Sequence, residues 1–178
     1  MRKYKILLLF FVLVNGVAKA QFYQERSRTT VGIGLELEIP TTIGFKDWHY
    51  PGVAGSLRLG YQLNDYFDFV AVGTLARFLQ KDSNTDSAYY SPSITLTGLS
   101  GGVRFHMAEV MDEGFFYLQP QVGVSAIGIR KPRFSGSYSI GAGYVIDERF
   151  DVSLRYQGLL GKNKLEFIGV GLAYQLNL

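Results

Sequence analysis

The chain has 178 residues, 47% hydrophobic and 15% aromatic, with 21 glycines and no cysteine; this is one domain's length, and disulfide staples and a lipidated cysteine anchor are excluded. The formal charge of +3 includes Arg2, Lys3, Lys5 and Lys19 and no acid among the first twenty residues, which leaves 14 basic against 15 acidic residues beyond them, or −1. No basic surface remains that would neutralise a run of phosphates, so nucleic acid is excluded as a partner.

Residues 1–20 come first. A basic start is followed by nine apolar residues, Ile6 to Val14, and by Ala18-Lys19-Ala20, a small-x-small cleavage pattern. This predicts a cleavable secretory signal rather than an anchor, because nine residues are about half of the ~20 that a spanning helix needs. The expected domain is then 21–178.

From about residue 30 the hydrophobic period is two. Val31, Ile33, Leu35, Leu37 and Ile39 alternate with Gly32, Gly34, Glu36 and Glu38, and the chain ends on the same rhythm from Ile168 to Leu178. A helix would scatter such residues around its circumference, and frequent glycine is costly there, so the class is all-β. The alternation predicts eight strands near 30 to 39, 52 to 63, 66 to 80, 93 to 107, 114 to 128, 136 to 146, 149 to 159 and 165 to 177. The third has apolar residues on both faces, with Arg77 on the greasy one. The fourth changes phase between Gly98 and Gly102, which reads as a bulge. Asn64-Asp65 and Asp147-Glu148 are two-residue turns, whereas residues 40–51 and 81–92 are longer loops. Short turns therefore gather at one end of the sheet and long loops at the other.

The phrase GYQLND (Gly60 to Asp65) returns as GYVIDE (Gly143 to Glu148) and as LAYQLN (Leu172 to Asn177). Each places a tyrosine on the apolar face, two residues before an aliphatic at the end of an even-numbered strand. Tyr61, Tyr144 and Tyr174, with Phe105 at the matching place in strand four, form an expected aromatic ring at the turn end, the periplasmic edge of a membrane barrel. Phe67 and Phe150 thicken it. The polar faces mix glycine and serine with charges of both signs, and the chain beyond residue 20 is poor in lysine. This suits a narrow lumen better than a wet exterior. Glu36, Glu38, Arg58, Arg104, Asp151 and Arg155 are the expected lumen charge network, either plugging the bore or forming an ion-selective constriction.

With its cleavable signal, eight alternating strands, short turns against longer loops and amphipathic last strand GVGLAYQLNL, the chain resembles the small eight-stranded outer-membrane barrels, the OmpX-like and OmpA-transmembrane-domain-like proteins, over residues 29 to 178. The chain ends in Leu178 where such barrels often end in an aromatic. The resemblance implies an up-and-down transmembrane β-barrel of the bacterial outer membrane. It also implies a monomer that meets the lipid bilayer and lipopolysaccharide and is inserted by the barrel assembly machinery.

The chemistry inventory is thin, and neither catalytic residues, cofactor nor metal are expected. His49 in the first long loop reads as a solvated or headgroup-facing residue, and His106 as a lumen or rim residue at the opposite end. Among small outer-membrane barrels there are lipid-modifying enzymes, and His49 with Ser83, Ser87 and Ser91 is the only material for that alternative. Trp48, Tyr50, Tyr89 and Tyr90 read as an outer aromatic girdle or as a contact surface. Arg130, Lys131 and Arg133 form a basic loop cluster suited to anionic lipopolysaccharide. The other alternative is a secreted soluble barrel with its greasy faces inward around a small hydrophobic ligand.

Overall fold

The computed structural model describes residues 29–81, 93–109, 114–128, 132–161 and 165–178. The expected signal segment, Ser83, Ser87, Ser91, Tyr89, Tyr90, Arg130 and Lys131 lie outside these residues.

Eight antiparallel strands close into a barrel in chain order: β1 (Thr29–Pro40), β2 (Gly52–Asn64), β3 (Phe67–Phe78), β4 (Ile94–Glu109), β5 (Gly114–Ile127), β6 (Arg133–Ile146), β7 (Phe150–Leu159) and β8 (Glu166–Asn177). One short helix, α1 (Phe45–Trp48), sits between β1 and β2. Pairing of β1 with β8 closes the sheet and leaves no edge. The partners of Thr30 run through Gly60, Val70, Gly102, Gln121, Ser139, Gln157 and Phe167 and re-enter β1 at Pro40, a stagger of ten residues. That stagger tilts the strands and sets a bore that side chains can fill.

The connections obey local chemistry. Asp147 and Glu148 both adopt positive φ, 50° and 56°, as a two-residue turn matched to strand twist requires. At the β2–β3 turn, Asn64 Oδ1 accepts the Tyr66 N–H at 2.9 Å, an Asx turn.

The side chains sort by alternation. Ile33, Leu35, Leu57, Leu59, Leu99, Val122, Leu154 and Leu172 point outward and are exposed. Glu36, Glu38, Arg58, Arg104, Gln121, Asp151 and Arg155 are buried inside. Apolar residues thus form the outer surface and polar ones the interior, the reverse of a soluble ligand-binding barrel.

Three expectations are corrected. The fourth strand has no bulge at Gly98 to Gly102, since β4 pairs with β3 without a break from Phe105 to Ile94; its irregularity lies between His106 and Ala108 against β5. The hydrophobic phase changes there because the lumen itself becomes apolar, so Leu96 points inward like Gly98, Ser100 and Arg104. The sixth strand begins at Arg133 rather than 136, which puts Arg133 in the wall instead of the loop. The third strand ends at Phe78, and its two apolar faces are real: Val70, Val72 and Phe78 fill the interior while Arg77 faces out.

Candidate functional site

Among the described residues, charged side chains converge in the lumen, which has two storeys. The lower one, nearer the turns, centres on Asp151, which is fully buried. Its Oδ2 accepts from Arg58 Nη1 at 2.9 Å, Arg104 Nη2 at 3.0 Å and Gln175 Nε2 at 2.8 Å, and its Oδ1 accepts from the Tyr117 hydroxyl at 2.7 Å. Arg104 also donates to Gln119 Oε1 and lies 4.2 Å over the Tyr117 ring. Arg58 reaches on to Glu36 Oε1 at 3.3 Å, and Arg155 Nη2 bridges Glu36 Oε2 at 2.6 Å and Glu38 Oε1 at 3.1 Å.

Three guanidinium groups and three carboxylates therefore form one chain across β1, β2, β4 and β7, and all six predicted charged residues belong to it. Charges buried this far cost several kcal/mol each unless paired, and the alternation of signs supplies the pairing. Small residues make room for it. A Cβ on Gly143 would lie 2.5 Å from the Tyr117 hydroxyl, and one on Gly171 would lie 2.9 Å from Glu36 Cγ. Tyr117, Gln119 and Gln175 were not singled out from the sequence, although their inward parity on β5 and β8 was available to find them.

The upper storey is apolar. Phe78, Phe167, Leu96, Leu159, Ala54 and Ala76 pack across the bore, and Phe45 of α1 closes over them. Its ring meets Phe78 edge-on at 5.0 Å, and Phe78 meets Phe167 at 5.7 Å. His49 follows α1 and corrects the expectation of a solvated loop residue: it is buried against the Phe45 ring, with Nδ1 3.3 Å from the Phe45 carbonyl. Burial follows from α1 folding back over the barrel end, where His49 bridges to Gln80. Trp48 and Tyr50 are exposed beside it, with Lys81 over the Tyr50 ring.

At the turn end a cavity of about 880 Å³ opens below the charged storey, lined in part by Gln62, Asp68, Arg104, His106 and Gln175. His106 sits at this rim, with Nε2 2.8 Å from Asp68 Oδ2, Nδ1 3.1 Å from the Asp65 carbonyl, and its ring stacked on Phe115 at 4.3 Å. His49 and His106 are thus at opposite ends of the barrel. Among the described residues no three His, Cys, Asp or Glu side chains form a metal-binding group.

Outside, near the same end, Tyr61, Phe105 and Tyr174 are exposed and Tyr144 is half-buried. Phe105 pairs with Phe67, Tyr144 with Phe116 and Tyr174 with Phe150, at centroid distances of 5.3, 4.6 and 5.3 Å.

Comparison with known proteins places this geometry. The model of the outer membrane protein beta-barrel domain matches residues 7–175. No curated protein matches. Among solved structures, Ail of Yersinia pestis in a phospholipid bilayer nanodisc superposes with a TM-score of 0.58 at 14% identity, covering 85% of this chain and all of that one. Neisserial surface protein A, NspA, superposes with a TM-score of 0.60 at 11% identity, over 87% of this chain and all of that one. The outer membrane enzyme PagL gives 0.54 at 11% identity, over 83% and 99%. These likenesses are of fold.

Proposed function

This chain belongs to the outer membrane protein beta-barrel family, and from that premise we propose that it is a non-enzymatic, non-conducting barrel of the bacterial outer membrane. It reaches the membrane after cleavage of residues 1–20, with the turns in the periplasm and the loops outside. Its loops provide surface contact, or its body supports the membrane. The observation that carries the closed lumen is the stacking of a charge-paired storey under an apolar one. An ion entering from the turn end meets Arg58 and Arg104 already paired with Asp151, in a chain whose three arginines are balanced by Glu36, Glu38 and Asp151, and above them a hydrophobic layer in which it has no partner.

The non-enzymatic reading rests on the placement of the two histidines. His49 is packed under α1 and His106 is tied to Asp68 at the far rim. Planar-bilayer recording is the test. The expected result is an unchanged baseline after insertion, and a steady open conductance from the intact barrel rules the closed lumen out.

A further inference from the structure

The cavity at the turn end has a chemistry that the lumen network does not use. Its acids are Asp65, Asp68 and Glu148, and the basic residues on its wall are Arg104 and His106. Arg104 is already committed to Asp151, and His106 faces Asp68 Oδ2. Asp68 Oδ1 has no hydrogen-bond partner among the described residues. The mouth therefore carries an excess of negative charge that the cavity wall does not balance. Beside it lies an apolar patch of Phe115, Val145 and Met107. A basic peptide with aromatic residues has the complementary composition.

Such a peptide is attached at the rim. β1 begins at Thr29, and Thr30, opposite Gly60, lines the cavity. Residues 21–28, which lie outside the described residues, lead directly into β1 and read QFYQERSR. They hold two arginines against one glutamate, with Phe22 and Tyr23 ahead of them. Eight strands about 4.8 Å apart and tilted by about 40° close a ring roughly 16 Å across. Eight extended residues reach about 26 Å. The segment is thus long enough to cross the mouth from β1 to the wall of β5 and β6, where Phe115 and Val145 stand.

We propose that residues 21–28 fold back across the turn-end cavity as a built-in strap, with Arg26 and Arg28 at Asp68 and Glu148 and the aromatic pair against Phe115 and Val145. The arginines share the parity of Thr30, which is the inward one. Because the segment is tethered at its own binding site, a high effective concentration offsets the small number of contacts. The strap covers the periplasmic mouth, while the apolar storey closes the bore above. This inference rests on the cleavage of residues 1–20 and on the periplasmic position of the turns proposed above.

The chain has no cysteine, so an introduced pair reports without background. The full chain is exported with its own leader and oxidised in isolated outer membranes. Gln24→Cys is combined with Gln62→Cys on the cavity wall, or with Arg149→Cys, exposed at the same end but outside the cavity. The Gln62 pair is expected to form its disulfide about tenfold faster than the Arg149 pair. Arg26→Glu combined with Arg28→Glu is expected to slow the Gln62 pair by about tenfold, since two ion pairs become repulsions. Equal rates in the two pairs, or a Gln62 rate unchanged by charge reversal, overturn the strap. The wild type supplies a reading that needs no variant. Compared with the free peptide QFYQERSR, trypsin is expected to cut after Arg26 about tenfold more slowly at low salt and equally fast at high salt. Equal cutting at low salt also overturns the strap. An intact mass of all 178 residues, or absence from the outer-membrane fraction, would instead overturn the cleavage or the placement, which separates the readings.

Discussion

At the scale of single residues, Asp151 carries the most partners in the lumen. It holds two arginines, a tyrosine and a glutamine through its two oxygens. Asp151→Asn keeps the shape but removes the charge that both guanidinium groups face. The expected loss is about 3–5 kcal/mol, the usual cost of leaving a buried charge without its partner, read from the urea midpoint of unfolding in lipid vesicles. Tyr117→Phe removes one hydrogen bond and leaves both ion pairs in place. Its expected cost is about 1–3 kcal/mol, so the order of the two variants tests whether charge or hydrogen bonding dominates the lower storey.

At the scale of the elements, each strand presents two unlike faces, and a substitution has opposite consequences on adjacent residues. Leu172 of β8 lies near the middle of the outward belt and is exposed, whereas Gly171 beside it faces the Glu36 side chain. Leu172→Arg puts a cation into hydrocarbon at an expected cost of about 2–4 kcal/mol. Leu172→Ala loses the water-to-lipid transfer of the trimmed groups and leaves no cavity, so its expected cost is smaller, about 1–2 kcal/mol. Vesicle unfolding of the two variants separates a lipid-facing residue from a core residue, for which alanine is also expensive. The same alternation accounts for β4: its period stays at two throughout, and what changes along it is the polarity of the lumen that it lines.

At the scale of the whole molecule, closure without an edge makes the barrel resistant to piecemeal unfolding. The folded chain is expected to recover with the outer-membrane fraction and to run differently on a gel before and after boiling. Recovery in the soluble periplasm without detergent would contradict the membrane placement. The fold was legible in the sequence because strand alternation is a local property. Backbone geometry sends successive side chains to opposite faces, so composition and period identify the strands, the parity of most residues outside the third and fourth, and the two tight turns without knowledge of any partner. The six charged lumen residues could be named on that basis, and so could the tyrosines above the turns.

Which groups meet was decided only by closure and stagger. A ten-residue shift around the barrel brings Asp151 of β7 to Arg58 of β2 and Arg104 of β4, and it gathers Phe78, Leu96 and Phe167 into an apolar layer above them. It also lets α1 fold over that layer and bury His49, which local sequence had assigned to solvent. Alternation assigns a side chain to the inside. Its height along the bore, and therefore its neighbours, depends on how eight distant segments are offset when the sheet closes on itself.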